Sequence, residues 1–160
     1  MKPALFLRIA SVLTFLHAVA HTIGGVFGKA APGPQQAAVL AMKTIQFQIP
    51  GGLTRTYWDF YLGEGIGISI SLLVETVVFW QLSALARKSA EPLRPIMAAF
   101  LVGYLCLAVN SWRFFFAPPV IGEILIVLCL SLAILTSRPL AVGQDSSPAA
   151  GLQTRLRPTS

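Results

Sequence analysis

Polar and ionisable side chains recur at helical spacing inside long apolar runs of this chain. Tyr57, Tyr61, Glu64, Ile68, Ser71 and Glu75 follow one another at alternating steps of four and three residues, a spacing that puts them on one helical face. His17 and His21 stand one turn apart, with Thr14, Gly24 and Gly28 along the same side. Ala99, Gly103, Cys106, Asn110 and Arg113 repeat the alternation, and Glu123 is the one acidic residue of the last apolar run. A buried carboxyl such as Glu64 or Glu123 is a candidate catalytic acid or base, His17 or His21 can exchange its proton, and Arg113 can hold an anion. With Tyr57, Tyr61 and Asn110 beside them, the same groups make a candidate ligand-binding set.

The elements that must position these groups follow from composition. Of the 160 residues, 55% are hydrophobic and only 11% charged, too little polar surface to clothe a water-soluble domain. The apolar residues fall in four runs, at about 4–26, 57–82, 95–112 and 119–137, each near the ~20 residues that a helix needs to cross the hydrocarbon core. The expected fold is therefore all-α, an integral membrane four-helix bundle of up-down-up-down topology covering residues 1–138. This excludes a nucleic-acid module, a secreted disulfide scaffold and a cytosolic enzyme. The two cysteines, Cys106 and Cys129, form no C-x-x-C pair and read as apolar fillers.

Charge sets the expected orientation. Lys2, Arg8, Arg87, Lys88, Arg94, Arg138, Arg155 and Arg157 fall on one side of the alternating spans, against Lys29, Lys43, Arg55 and Arg113 on the other. Because Lys and Arg resist translocation, both termini are expected on the cytoplasmic side. The net charge of +6 then reports topology rather than a nucleic-acid partner. Ala18-Val19-Ala20 mimics a signal cleavage site, but the apolar stretch continues to Phe27, long enough to span.

Between the first two spans, residues 35–48 mix Val39, Leu40, Met42, Ile45 and Phe47 with Gln and Lys43, the pattern of a short amphipathic outer helix. Pro50-Gly51-Gly52 makes a turn, and Thr56 with Asp59 three residues later forms a capping box that opens span two. Residues 139–160, rich in Gly, Gln, Ser, Pro and Thr, are expected to be a disordered cytoplasmic tail.

In a bilayer a charged group is costly and turns toward the bundle interior. On this orientation and ~1.5 Å of rise per residue, His17, His21, Glu64, Asn110, Arg113 and Glu123 converge in the outer half. Glu75 lies about 16 Å below Glu64, where it is expected to pair with a basic residue near the inner boundary or to mark the floor of a proton path. Three readings of the outer cluster stay open: a pocket for a small or lipid-like ligand, an acid/base enzyme of isomerase type on a lipid-like substrate, and a structural ion network of Arg113 with Glu64 and Glu123. No cofactor is expected. His17 and His21 have metal-ligand chemistry but no H-E-x-x-H context, and because they share one side of one helix they cannot grip a haem from opposite faces. The expected partners are the lipid bilayer, a lipid-like small molecule, and a second copy or a membrane complex.

Three strings, Leu16-His17-Ala18-Val19-Ala20-His21-Thr22, Tyr57-Trp58-Asp59-Phe60-Tyr61-Leu62-Gly63 and Ser111-Trp112-Arg113-Phe114-Phe115, resemble a family of small bacterial four-span membrane proteins without assigned function. The resemblance covers about residues 5 to 135 and implies a bacterial cytoplasmic-membrane location. A looser likeness to DoxX-like proteins and to the EXPERA group of sterol-isomerase relatives rests on size and span count alone.

Overall fold

The computed structural model describes residues 2–137; the expected tail at 139–160 lies outside them. Four helices are long and apolar enough to cross a membrane. Helix α1 (Lys2–Ala20) runs into a π-helical turn at His21–Val26, so the first apolar stretch covers Lys2–Val26. Helix α3 spans Tyr57–Ala86, α4 Arg94–Phe114 after a 3-10 turn at Glu91–Leu93, and α5 Ala117–Thr136. Prolines stand in the first turns of α4 and α5, where the missing N–H breaks no helical hydrogen bond. Thr56 and Asp59 form the expected capping box: the Thr56 side chain accepts from the Asp59 N–H at 3.1 Å, and Asp59 Oδ2 accepts from the Thr56 N–H at 2.7 Å.

The amphipathic segment between the first two long helices is more structured than its sequence suggests. It is a helix, α2 (Pro34–Thr44), followed by a hairpin of β1 (Gln46–Ile49) and β2 (Leu53–Thr56), with Gln46 opposite Thr56 and Ile49 opposite Leu53. Its turn needs two successive positive φ angles, +97° at Gly51 and +77° at Gly52, which glycine adopts without steric cost. Phe47 on β1 then stacks against Tyr57 and Phe60 at ring-centroid distances of 4.8 and 5.4 Å, fastening the hairpin to the start of α3.

Small residues and interhelical hydrogen bonds mark the contacts between the long helices. Helix α1 packs against both α3 and α5, and α4 packs against α5. Buried Ala4, Ala10 and Ala18 on α1 and Ala133 on α5 allow close approach. Ser83 donates to the Ala4 carbonyl at 2.9 Å and Ser11 to the Thr76 carbonyl at 2.7 Å, while Thr22 donates to Ser69 at 2.9 Å. These pairs ascend along α1 and descend along α3, so the two helices run antiparallel.

The buried residues of α3 are Ser69, Leu72, Phe79, Leu82, Ser83 and Ala86; all but Leu82, with half-buried Thr76, follow a three-and-four alternation and form its seam. That seam lies one residue beyond the expected stripe of Ile68, Ser71 and Glu75. On α4 the same offset recurs: Met97, Tyr104 and Ser111 are buried, whereas Gly103 and Asn110 are exposed. One residue is about 100° of helical rotation, enough to turn most of the expected polar face outward.

Candidate functional site

Helices α3 and α4 stand apart along most of their length and meet through side chains. The Phe79 ring packs edge-on against Phe100 at 4.9 Å and tilts against Tyr104 at 6.0 Å. Just beyond, the Tyr104 hydroxyl donates to Glu75 Oε2. The gap between the helices is a cleft of about 220 Å³, lined by Glu75 from α3 and by Ala99, Phe100, Gly103, Tyr104 and Leu107 from α4. A side chain at Gly103 would meet nothing within 4 Å, so the cleft opens sideways beside it. Thr14 on α1 reaches the same tyrosine, its hydroxyl donating to the Ala10 carbonyl at 2.9 Å and lying 3.4 Å from the Tyr104 oxygen.

Glu75 is thus drawn into an acid–phenol pair, and the basic partner expected for it is a tyrosine instead. Arg8 on α1 comes near α3 but turns to Trp80, its guanidinium 4.0 Å from the centre of that ring. Glu75 stands in the sequence on the polar face of its helix but apart from the candidate ligand set, and Tyr104 stands outside that set altogether. Tyr104 carries no motif, and Glu75 was set apart from the outer cluster by its depth.

A second polar group sits between α1, α4 and α5. Glu123 is 4% exposed; its Oε1 accepts a 2.8 Å hydrogen bond from Ser111, and its buried Oε2 has no protein partner among the described residues. The His17 ring lies over Gly122, where a Cβ would sit 3.6 Å from Nδ1, and that nitrogen is likewise buried without a partner. Of the expected outer cluster, His17 and Glu123 therefore do turn inward on neighbouring helices.

The other expected members are placed differently. Glu64, Asn110 and Arg113 are exposed, because the seams of α3 and α4 pass one residue beyond the expected stripes. The ion network of Arg113 with Glu64 and Glu123 is accordingly not formed: Glu123 takes Ser111 as its partner, and Arg113 lies 6.0 Å from the Phe114 ring centre. Tyr57 is exposed and packs on the hairpin. His21 and Tyr61 fasten the π-helical turn to α3. His21 Nε2 lies 3.2 Å from the Gly65 carbonyl, which can only accept, so Nε2 carries the proton; the Tyr61 hydroxyl donates to the Gly25 carbonyl at 2.9 Å. Nor do three His, Cys, Asp or Glu side chains converge on a metal-sized site among the described residues.

Comparison with family models, with curated proteins and with solved structures found no match for this chain.

Proposed function

We propose that this chain is a small multi-pass membrane protein that binds a small or lipid-like molecule inside its helix bundle. The observation that carries this reading is the α3–α4 cleft, which presents the Glu75–Tyr104 pair at the bottom of an otherwise apolar opening. Ligand pockets combine such apolar walls with a few placed polar groups. Helices that face lipid on either side of a gap let a membrane-dissolved ligand enter laterally. In this proposal the bundle is up-down-up-down with both termini cytoplasmic, in the cytoplasmic membrane of a bacterium. The basic residues flanking the spans and the three sequence strings named above support that placement.

Native mass spectrometry of the intact protein, released gently from its membrane, tests the reading. A retained mass of several hundred daltons is the expected result. Gly103→Phe, which fills the cleft, should remove it, and Gly63→Phe, at another open glycine outside the cleft, should not. A bare chain mass, or an added mass indifferent to Gly103→Phe, overturns the proposal.

A structural role is the second reading, favoured by the Ser111–Glu123 bond, which is buried at the α4–α5 contact and stands apart from the residues that line the cleft. That bond fixes how two helices meet whether or not a ligand is present.

A further inference from the structure

Resting on the binding reading, we infer that the molecule taken by the α3–α4 cleft is a lipophilic cation: an amine or quaternary ammonium carrying apolar groups. Glu75 supplies the reason. It lies well inside a 30-residue apolar helix, where an ionised carboxylate is costly without a counter-charge. Its protein partner is the neutral Tyr104 hydroxyl, a bond that suits an accepting carboxylate. No salt bridge reaches Glu75 among the described residues, and Arg8, on the helix packed against α3, is held over Trp80 instead. The chain therefore places an acidic side chain at the cleft with no cation of its own bridged to it, and leaves the positive charge to be supplied from outside.

The walls fit the same occupant. Phe100 and Tyr104 line the cleft beside Glu75, and aromatic faces attract a desolvated cation through their quadrupoles. Ala99 and Gly103, one turn apart on α4, carry little or no side chain and leave room beside Glu75 for a bulky head such as trimethylammonium. A volume of about 220 Å³ holds such a head and one ring. The lateral opening lets an attached apolar tail stay in lipid. A neutral lipid would gain the apolar contacts without the attraction of a cation to the acidic side chain and the aromatic faces.

Benzyltrimethylammonium and neopentylbenzene, which differ only by a charged nitrogen in place of a carbon, make the test. The full-length protein is placed in nanodiscs of phosphatidylcholine with its three tyrosine rings isotopically labelled, and each ligand is titrated while the ring signals are followed by NMR. Tyr104→Phe identifies the Tyr104 signal. The expected result is a saturable Tyr104 shift with the cation, and binding about tenfold or more weaker for the neutral isostere and for Glu75→Gln. Unchanged Tyr57 and Tyr61 signals show that Glu75→Gln is folded. Gly103→Phe, which keeps the carboxylate but fills the cleft, should also abolish the shift. Equal affinity for the two ligands, undiminished cation binding by Glu75→Gln, or no saturable Tyr104 shift each overturns the cationic ligand class. The binding reading fails separately, through the absence of any retained mass that depends on Gly103.

Discussion

Ser111 and Glu123 are joined across the α4–α5 contact by a 2.8 Å hydrogen bond, and the second carboxylate oxygen of Glu123 is buried with no protein partner. The bond holds together two helices whose connection is short, since α4 ends at Phe114 and α5 begins at Ala117. One acceptor is satisfied and the other is not, so the bond contributes to stability while the group as a whole is expensive to bury.

Removing the donor should therefore be worse than neutralising the acceptor. Ser111→Ala leaves the buried carboxylate without its protein partner and is expected to cost about 1–2 kcal/mol. Glu123→Gln keeps an acceptor for Ser111 and puts its amide nitrogen where the second oxygen already lacks a partner, so it should cost less than Ser111→Ala. Denaturation of the purified variants in detergent, followed by circular dichroism, measures both. A Glu123→Gln protein less stable than Ser111→Ala would show that the ionised carboxylate itself holds the helices.

The π-helical turn after α1 rests on a close approach to α3. A Cβ added at Gly65 would stand 3.0 Å from a Val26 methyl, and the Gly65 carbonyl also accepts from His21. Gly65→Ala should destabilise by about 1–2 kcal/mol through overpacking. Val26→Ala in the same chain should recover part of that loss. Additive losses in the double variant would show that the Gly65 requirement arises elsewhere.

Gly24 and Gly28, which look in sequence like a helix-packing pair, differ in what surrounds them. A Cβ at Gly24 meets nothing within 4 Å, whereas one at Gly28 collides with the Gly24 carbonyl. Gly24→Ala is expected to be near neutral. Gly28→Ala must reshape the exit from the first span and should lower the unfolding midpoint by several degrees in a thermal scan. Equal effects at the two sites would rule out the backbone collision as the reason for Gly28.

At the start of α3, the reciprocal Thr56–Asp59 bonds predict that Thr56→Ala costs about 1 kcal/mol and Thr56→Ser very little. Hydrogen exchange localises the effect: the amide of Asp59 should lose protection in Thr56→Ala while amides near Phe79 keep theirs. Uniform loss along α3 would mean that the cap supports the whole helix rather than its first turn.

The four long apolar helices and the capped start at Tyr57 are legible in the chain itself. Each follows from a local cause: hydropathy over a span, or a side chain reaching three residues along its own backbone. The inward expectation applies equally to His17, Glu123, Glu64, Asn110 and Arg113, so which of them turn in is left to packing. Tertiary structure alone decided the phase of α3 and α4. Both the expected stripe through Ile68, Ser71 and Glu75 and the observed seam through Ser69, Leu72 and Thr76 satisfy a three-and-four alternation. A helix apolar on nearly every side carries no contrast to choose between them. Packing of α1, with its alanines and the Ser11 and Thr22 hydroxyls, selects the second. Glu75 is left at the margin of that seam, turned toward α4 and Tyr104. The same rotation sends Glu64, Asn110 and Arg113 outward. The cleft is equally a tertiary product, because it exists only where α3 and α4, adjacent in sequence, are held apart by the helices each packs against.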